Sequence, residues 1–417
     1  MKIKTGPYVK GSQCVQCETI YPRETSYMQC PQCGDTGILD ILYAYDRLHQ
    51  NMPTAETLQK RPFNIWRYKE WLSIPVADDL KTLHVGGTPL YRSDASLAKW
   101  GVEQLYIKDE GVNPTGSLKD RASVIAVAHA KSLHQPVVAC SSTGNAASSL
   151  AGQAARLGLK SVIFVPERAP IGKLNQLLVY GAQVYKVKGD YQATYALSHE
   201  AIKTYGWYDR NAAVNPHLVE GKKTVAYEII EQLGSQSLDW VVVSVGDGCT
   251  LAGLYKGFYD WYKLGRLSRI PRLLGVQSEG CAPLYKAWKT NQPLEVAEEN
   301  TIADSIAVGI PRNARKALRA VEQSHGAWIT VTDQAILDAT KTLGRHEGIF
   351  AEPASSAAFA GLLKARETDV IAPSETVVVL HTGNGLKDPD SARKAVGDVT
   401  RIEADFKTFK KTWKMKE

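Results

Sequence analysis

Short β-branched runs alternate with Ala-rich amphipathic stretches through most of this chain, and that alternation restricts its fold more than any other feature. Gln104–Lys108, Val137–Cys140, Ser161–Val165, Gln183–Val187, Val241–Val245, Leu273–Val276 and Thr376–Leu380 have the length and composition of buried strands. Helical periodicity fills the intervals, at Lys119–Ser132, Asn145–Leu157, Ile171–Tyr180, Val219–Leu233, Leu251–Leu264, Arg312–Gln323, Asp333–His346 and Pro353–Lys364. Strand, helix and strand repeated this often predict α/β layers with mostly parallel sheets. The 417 residues exceed one domain, and with 44% hydrophobic residues they can bury a large core without disulfide staples. A Pro- and Trp-bearing connector is expected from about Asn51 to Asp79. Beyond Ile402, Phe406, Phe409 and Trp413 recur at helical spacing between lysines, which predicts a docked terminal helix with a solvated basic face.

The first 45 residues break the pattern. Four of the seven cysteines fall here, as Cys14-x-x-Cys17 and Cys30-x-x-Cys33. Each pair lets two thiolates of one tight turn face a single ion, and two such knuckles complete a tetrahedral sulfur shell. A segment this short with few large aliphatic residues needs such a staple. Structural zinc on Cys14, Cys17, Cys30 and Cys33 is therefore expected, with no open coordination site for catalysis.

Charge narrows the partners. The net formal charge is +7, of which the residues from Thr400 to Glu417 supply +3, so the rest of the chain is too nearly neutral to make nucleic acid its partner. No apolar run approaches the roughly 18–20 residues of a membrane span or the h-region of a signal peptide. A cytoplasmic enzyme with reduced thiols, and no membrane contact, is the expectation.

In α/β sheets ligands collect where strands run into helices, and three such junctions carry chemistry. In Lys108–Arg121, Gly111-x4-Gly116 lacks the Gly-Lys-Ser/Thr of a nucleotide loop, but Lys119 opens a helix after a Pro/Gly turn. A helix N-terminus and enclosure both lower an amine's pKa, which suits a Schiff-base lysine. In Val138–Ser148, residues Ser142, Thr143, Gly144 and Asn145 bring hydroxyls, an amide and free N–H groups to a helix start, where a carboxylate can bind. In Val241–Gly253, Gly246, Asp247, Gly248, Cys249 and Thr250 form a phosphate cradle, and Gly253 falls two places late for a dinucleotide fingerprint. Together these three are what pyridoxal 5'-phosphate and an amino-acid substrate require.

The same residues carry a family resemblance. From about Gly87-Thr-Pro-Leu90 to Asp388 the chain resembles the threonine synthase family, of the tryptophan-synthase-β-like fold (fold type II). Asn113-Pro-Thr-Gly-Ser-Leu-Lys-Asp-Arg121 is similar to the family's lysine motif and implies Lys119 as the cofactor lysine. Ser142-Thr-Gly-Asn145 implies a loop whose Asn145 meets the cofactor ring oxygen and which holds the substrate carboxylate. Gly246–Thr250 is similar to the phosphate loop. Leu380-His-Thr-Gly-Asn-Gly-Leu-Lys-Asp388 implies Thr382 facing the pyridine nitrogen. Asn215-Pro-His-Leu-Val-Glu-Gly-Lys-Lys-Thr224 and Glu352-Pro-Ala-Ser355 match further segments, and within the first His217 and Lys222 are candidates to contact the substrate. Cysteine-paired ribbons occur in some relatives.

The resemblance implies a two-lobed parallel-sheet fold behind a zinc ribbon: ribbon 1–45, a large cofactor-binding lobe from 46–120 and 216–417, and a smaller mobile lobe from 121–215. It implies a homodimer and a lyase of amino-acid biosynthesis that converts O-phosphohomoserine to threonine and phosphate by γ-elimination and β-hydration. Ala213 and Leu218 stand where the family carries a Ser and an Arg for the substrate's phosphate. Either Lys222, Lys223, Arg121 or His217 compensates, or the substrate is a serine, threonine or O-phosphoserine that undergoes β-elimination or β-replacement, as in ammonia-lyases or cysteate synthase. A non-catalytic amino-acid-binding relative is disfavoured by the intact Lys119.

Overall fold

The computed structural model describes residues 5–414 except 26, 95, 168–170, 190 and 235. Three sheets organise them. β1 (Val9–Cys14), β2 (Ile20–Pro22) and β3 (Leu39–Tyr43) form an antiparallel N-terminal sheet in the order β2-β1-β3. Next come β4 (Leu90–Arg92) and β5 (Gln104–Asp109), then β6 (Val137–Ser141), β7 (Lys160–Pro166), β8 (Gln183–Val187) and β9 (Tyr208–Asp209). The chain closes with β10 (Trp240–Ser244), β11 (Arg272–Ser278), β12 (Ala327–Val331) and β13 (Thr376–His381). The large sheet has the order β12-β11-β10-β13-β5-β4 and is parallel apart from β4. β8-β7-β6-β9 is a separate parallel sheet.

Every residue of β10 and β13 is buried, because helices cover both faces of a parallel sheet. Alternate residues feed different cores, as side chains of a strand point to opposite faces. Val242, Leu274 and Val379 pack in one cluster, and Val241, Leu273 and Val378 in another. The small sheet builds its own core from Val138, Cys140 and Ile163 against Ala122, Ala126, Ala147 and Ala151 of helices Lys119–Ser132 and Asn145–Leu157. Ala-rich faces let these helices lie close to the strands.

Several expectations need amending. The connector contributes a helix at Ala55–Gln59 and a 3-10 segment at Ile65–Trp71, whose Tyr68 and Trp71 are buried. Helix Tyr191–Tyr205 and strand β12 were not anticipated. The terminal helix forms, at Phe406–Lys414, but it is not docked: Phe406, Phe409 and Trp413 are exposed. Spacing determines that an apolar stripe exists, and only tertiary contacts determine what covers it. Among the described residues no helix is long and apolar enough to cross a membrane.

The ribbon sheet is fastened to the body by charge and by packing. Lys256 and Lys316 reach Asp40 at 2.8 and 3.1 Å, and Tyr43 donates to Glu220 at 2.5 Å. Val15 and Ile38, next to the cysteine knuckles, share a buried cluster with Ala213, Val219 and Cys249.

Candidate active site

The C-terminal ends of β10 and β13 border a narrow cleft at the strand-to-helix junctions. Lys119, Lys222, the turn from Ser244 to Leu251, Ser305, Glu352 and Thr382 line it. A larger groove, about 600 Å³, lies between Thr340–Phe350 and Ala392–Val399, and none of the candidate residues reaches it.

Lys119 opens its helix because the turn before it is laced to the end of β13. Leu118 N–H donates to Thr382 C=O at 2.9 Å, and Asn384 N–H to Gly116 C=O at 3.0 Å. Both bonds hold Lys119 and Thr382 in one place. Thr382 N–H in turn donates to Ser355 Oγ at 2.9 Å, and Ser355 is tied to His381 Nδ1 at 2.6 Å. Behind this turn Arg121 is wholly buried and bonds Glu110 and Glu228, which also holds Lys108. That network fixes the floor of the loop and removes Arg121 from the possible substrate contacts.

The Lys119 amine is pushed down to about 8. Burial contributes most, then the neighbouring charge of Lys222, with Glu352 opposing and Arg210 adding to the effect. No hydrogen bond or ion pair engages Lys119 Nζ among the described residues, so an amine of low basicity faces the cleft.

The 246–250 turn runs from β10 into helix Cys249–Lys263. Gly248 has φ +89°, and a Cβ there would lie 2.8 Å from Ala317 Cβ, so both conformation and packing demand glycine. The first N–H groups of a helix have no partner within it and are available to an anion. Asp247, an odd neighbour for a phosphate, has its carboxylate spent elsewhere: Oδ1 accepts Arg312 N–H at 2.8 Å and Oδ2 lies 3.3 Å from Cys249 Sγ. Burial raises the Cys249 thiol to about 12, so it is an inert neighbour and not a nucleophile.

Opposite, Asn145 begins the helix after β6. Its Nδ2 donates to both Glu352 oxygens, at 2.8 and 3.0 Å, and lies 3.5 Å from Ser305. Ser142, Thr143 and Gly144 form the preceding loop, half-buried, with Gly144 N–H on Ser142 Oγ at 3.2 Å. Of the substrate candidates, Lys222 lines the cleft; Ser142, Thr143, Gly144, Asn145 and His217 do not, though Asn145 bonds the lining Glu352. His217 Nδ1 pairs with Ser73 Oγ at 2.8 Å, and burial lowers its pKa to about 4, leaving it neutral. Lys223 is committed to Glu220 and Asp260. Ser305 was not anticipated: it lies in a single 3-10 turn, Asp304–Ile306, that no local pattern marks.

At the ribbon, the four sulfur atoms of Cys14, Cys17, Cys30 and Cys33 all lie within 4.8 Å of one another. Tetrahedral zinc with Zn–S of about 2.3 Å sets sulfurs roughly 3.8 Å apart, so this cluster fits the ion. Gly37 makes room, since a Cβ there would sit 2.6 and 2.7 Å from the Cβ atoms of Cys30 and Cys33.

The cleft fits pyridoxal phosphate by its donor set: an amine of low pKa without a partner among the described residues, a glycine turn at a helix start, and Thr382, with Asn145 adjoining through Glu352. Comparisons agree. A family profile described as pyridoxal-phosphate dependent enzyme matches residues 81–383. The threonine synthase of Methanocaldococcus jannaschii is 38% identical over 405 residues, 96% of this chain and 99% of that protein. The threonine synthase of Mycobacterium tuberculosis is 37% identical over 357 residues, 85% and 96% of the two chains. Among solved structures, a processed threonine deaminase isoform 2 from Solanum lycopersicum aligns with TM-score 0.64 at 21% identity, covering 74% of this chain and 87% of that one. Maize serine racemase aligns with TM-score 0.63 at 20% identity, covering 79% and 92%. These last two establish the fold alone, the fold type II arrangement. By its profile match and its close relatives, the chain is a pyridoxal-phosphate-dependent lyase that belongs to the threonine synthase family.

Proposed function

We propose that this enzyme converts O-phosphohomoserine to threonine and phosphate, by γ-elimination followed by addition of water at the β carbon. The observation that carries the reading is the unpaired Lys119 amine, depressed to about 8, sharing one cleft with the Gly246–Thr250 turn. Pyridoxal phosphate, when bound, supplies an electron sink for negative charge at the substrate's α carbon. Lys119 holds the cofactor and carries protons on Nζ, for which a pKa near neutrality is suited. The N–H groups of Gly246, Asp247, Gly248, Cys249 and Thr250 receive the cofactor phosphate. Asn145, now bonded to Glu352, would hold the ring oxygen of a bound cofactor. The Thr382 hydroxyl would lie at the ring nitrogen of a bound cofactor, and because a hydroxyl cannot protonate it as a carboxylic acid would, expulsion of a leaving group would compete well with transamination. Ser142, Thr143, Gly144 and Asn145 hold the substrate carboxylate with hydroxyls and N–H groups. His217, through Ser73, supports the 215–224 segment from outside the cleft.

A second reading rests on Leu218, which packs with Ala122 and Ala126 where an arginine would face phosphate. On that reading the substrate is serine, threonine or O-phosphoserine and the chemistry is β-elimination or β-replacement. One assay separates the two: purified enzyme with O-phosphohomoserine, O-phosphoserine, serine and threonine, following phosphate, ammonia and amino-acid products separately. Phosphate release with threonine as sole product supports the first reading; ammonia or β-substituted products from the others overturn it.

We further propose one structural zinc on Cys14, Cys17, Cys30 and Cys33, and a cytoplasmic homodimer. The lobes are taken as 1–45 for the ribbon, 46–120 with 216–417, and a mobile 121–215. Light scattering in solution tests the dimer. Borohydride reduction with peptide mapping tests Lys119, since a pyridoxyl label on any other lysine would refute it.

A further inference from the structure

Ala213 and Leu218 lie in apolar clusters, Ala213 with Val15 and Ile38, Leu218 with Ala122 and Ala126, so neither position offers a substrate anion anything. Two buried cations near them lack counter-ions. Lys222 is 3% exposed, lines the cleft, and makes no hydrogen bond or ion pair among the described residues. Its Cβ abuts Gly253, so the side chain leaves beside the first turns of helix Cys249–Lys263. Arg210, just beyond β9, is 2% exposed; its Nε donates to Ser123 Oγ at 3.0 Å and its Nη2 is buried with no partner. Ser123 is one helical turn from Lys119, which puts the guanidinium behind the wall that carries the amine. Its charge disfavours the protonated forms of both Lys119 and Lys222.

The acids around this pair are occupied. Asp120 accepts from Gln153 and from Thr115 N–H and Oγ, Asp209 accepts Asn211 N–H, and Asp247 accepts Arg312 N–H. Burial raises the pKa of Asp120 and of Asp209, weakening their charge. Buried polar groups are normally paired and buried charges compensated. Two such cations without contact anions, one of them open to the cleft, make a site for a dianion.

We propose that Lys222 binds the distal phosphate of the amino-acid substrate, and that Arg210, a positioning residue still covered by protein, strengthens that site by its field in a water-poor wall. This inference rests on the cleft being the pyridoxal-phosphate site, so an absorption band of the bound cofactor and turnover by the parent enzyme are measured first; their absence would defeat that reading and not this one. A phosphate monoester is also present on the cofactor, and the test separates the two sources.

The experiment compares the parent holoenzyme with Lys222→Gln, Arg210→Lys and Arg210→Met, measuring KM and kcat for O-phosphohomoserine, inhibition by inorganic phosphate, and cofactor affinity by absorbance titration. Loss of a charge-assisted contact predicts a KM raised about 10- to 100-fold in Lys222→Gln. Weaker inhibition by phosphate should accompany it, with cofactor affinity within about twofold of the parent. Arg210→Lys keeps the charge and should shift KM by much less, whereas Arg210→Met should raise it with a smaller effect on kcat. A drop in cofactor affinity with substrate KM unchanged would assign Lys222 to the cofactor phosphate and overturn the proposal, as would KM and phosphate inhibition equal to those of the parent.

Discussion

Replacing Lys119 by Met tests the electrostatics of the cleft more sharply than loss of activity does. The amine's pKa falls from an ordinary 10.5 to about 8, chiefly through burial and then through the charge of Lys222. A depression of that size corresponds to about 3 kcal/mol, at about 1.4 kcal/mol per pKa unit. The sign follows from proton counts. Between pH 8 and 10.5 the unfolded chain binds more protons at this position than the folded one, so apoenzyme stability rises with pH there. Below pH 8 the folded apoenzyme bears the whole cost of a desolvated ammonium. Lys119→Met removes the charge while keeping much of the side-chain volume, and it relieves Lys222 as well. Without cofactor, the variant should therefore be more stable than the parent at pH 7, by up to about 3 kcal/mol. That advantage should shrink through the pH 8–10.5 window. Urea unfolding of both proteins at a series of pH values measures the difference, and groups that titrate alike in the two cancel. A variant less stable at pH 7, or an advantage that does not change with pH, would refute the argument.

Other outcomes follow from single features of the structure. Arg121→Met strands the buried carboxylates of Glu110 and Glu228 and should cost about 3–5 kcal/mol in urea unfolding; a loss under about 1 kcal/mol would show that the network is dispensable. Gly248→Ala forces a left-handed residue, at about 1–2 kcal/mol, and a Cβ against Ala317. Cofactor titration should show weaker binding, and unchanged affinity would remove the turn from the cradle. Elemental analysis should find one zinc per chain, lost in Cys30→Ser, with a lower melting temperature and the large sheet still folded. His217, with a pKa near 4, must be neutral in the fold, so its contribution to stability declines as pH falls from 6.5 towards 4; His217→Gln should flatten that part of an acid-unfolding curve.

Much of this architecture is legible locally. Helices such as Lys119–Ser132, Asn145–Leu157 and Asp333–His346 agree with their periodicity to the residue, because packing against a sheet writes itself as apolar and Ala-rich faces. Gln183–Val187 also keeps its predicted bounds, but it is an edge strand with no residue buried, where a buried strand was expected, since its place in the sheet is not written in its own residues. The Cys14, Cys17, Cys30, Cys33 spacing and the Lys119 and Gly246–Thr250 junctions are local too: a knuckle, a helix start and a glycine turn each need only a few consecutive residues. Contacts between distant segments left no such trace. That Glu352 meets Asn145, that Ser305 lies beside Asn145, and that Arg121 and Lys223 are consumed by internal ion pairs while Lys222 is not among the described residues, depended on which strand ends the tertiary structure gathered. The same limit explains the exposed face of helix Phe406–Lys414: amphipathicity is a property of spacing, whereas its burial requires a surface that the helix itself does not encode.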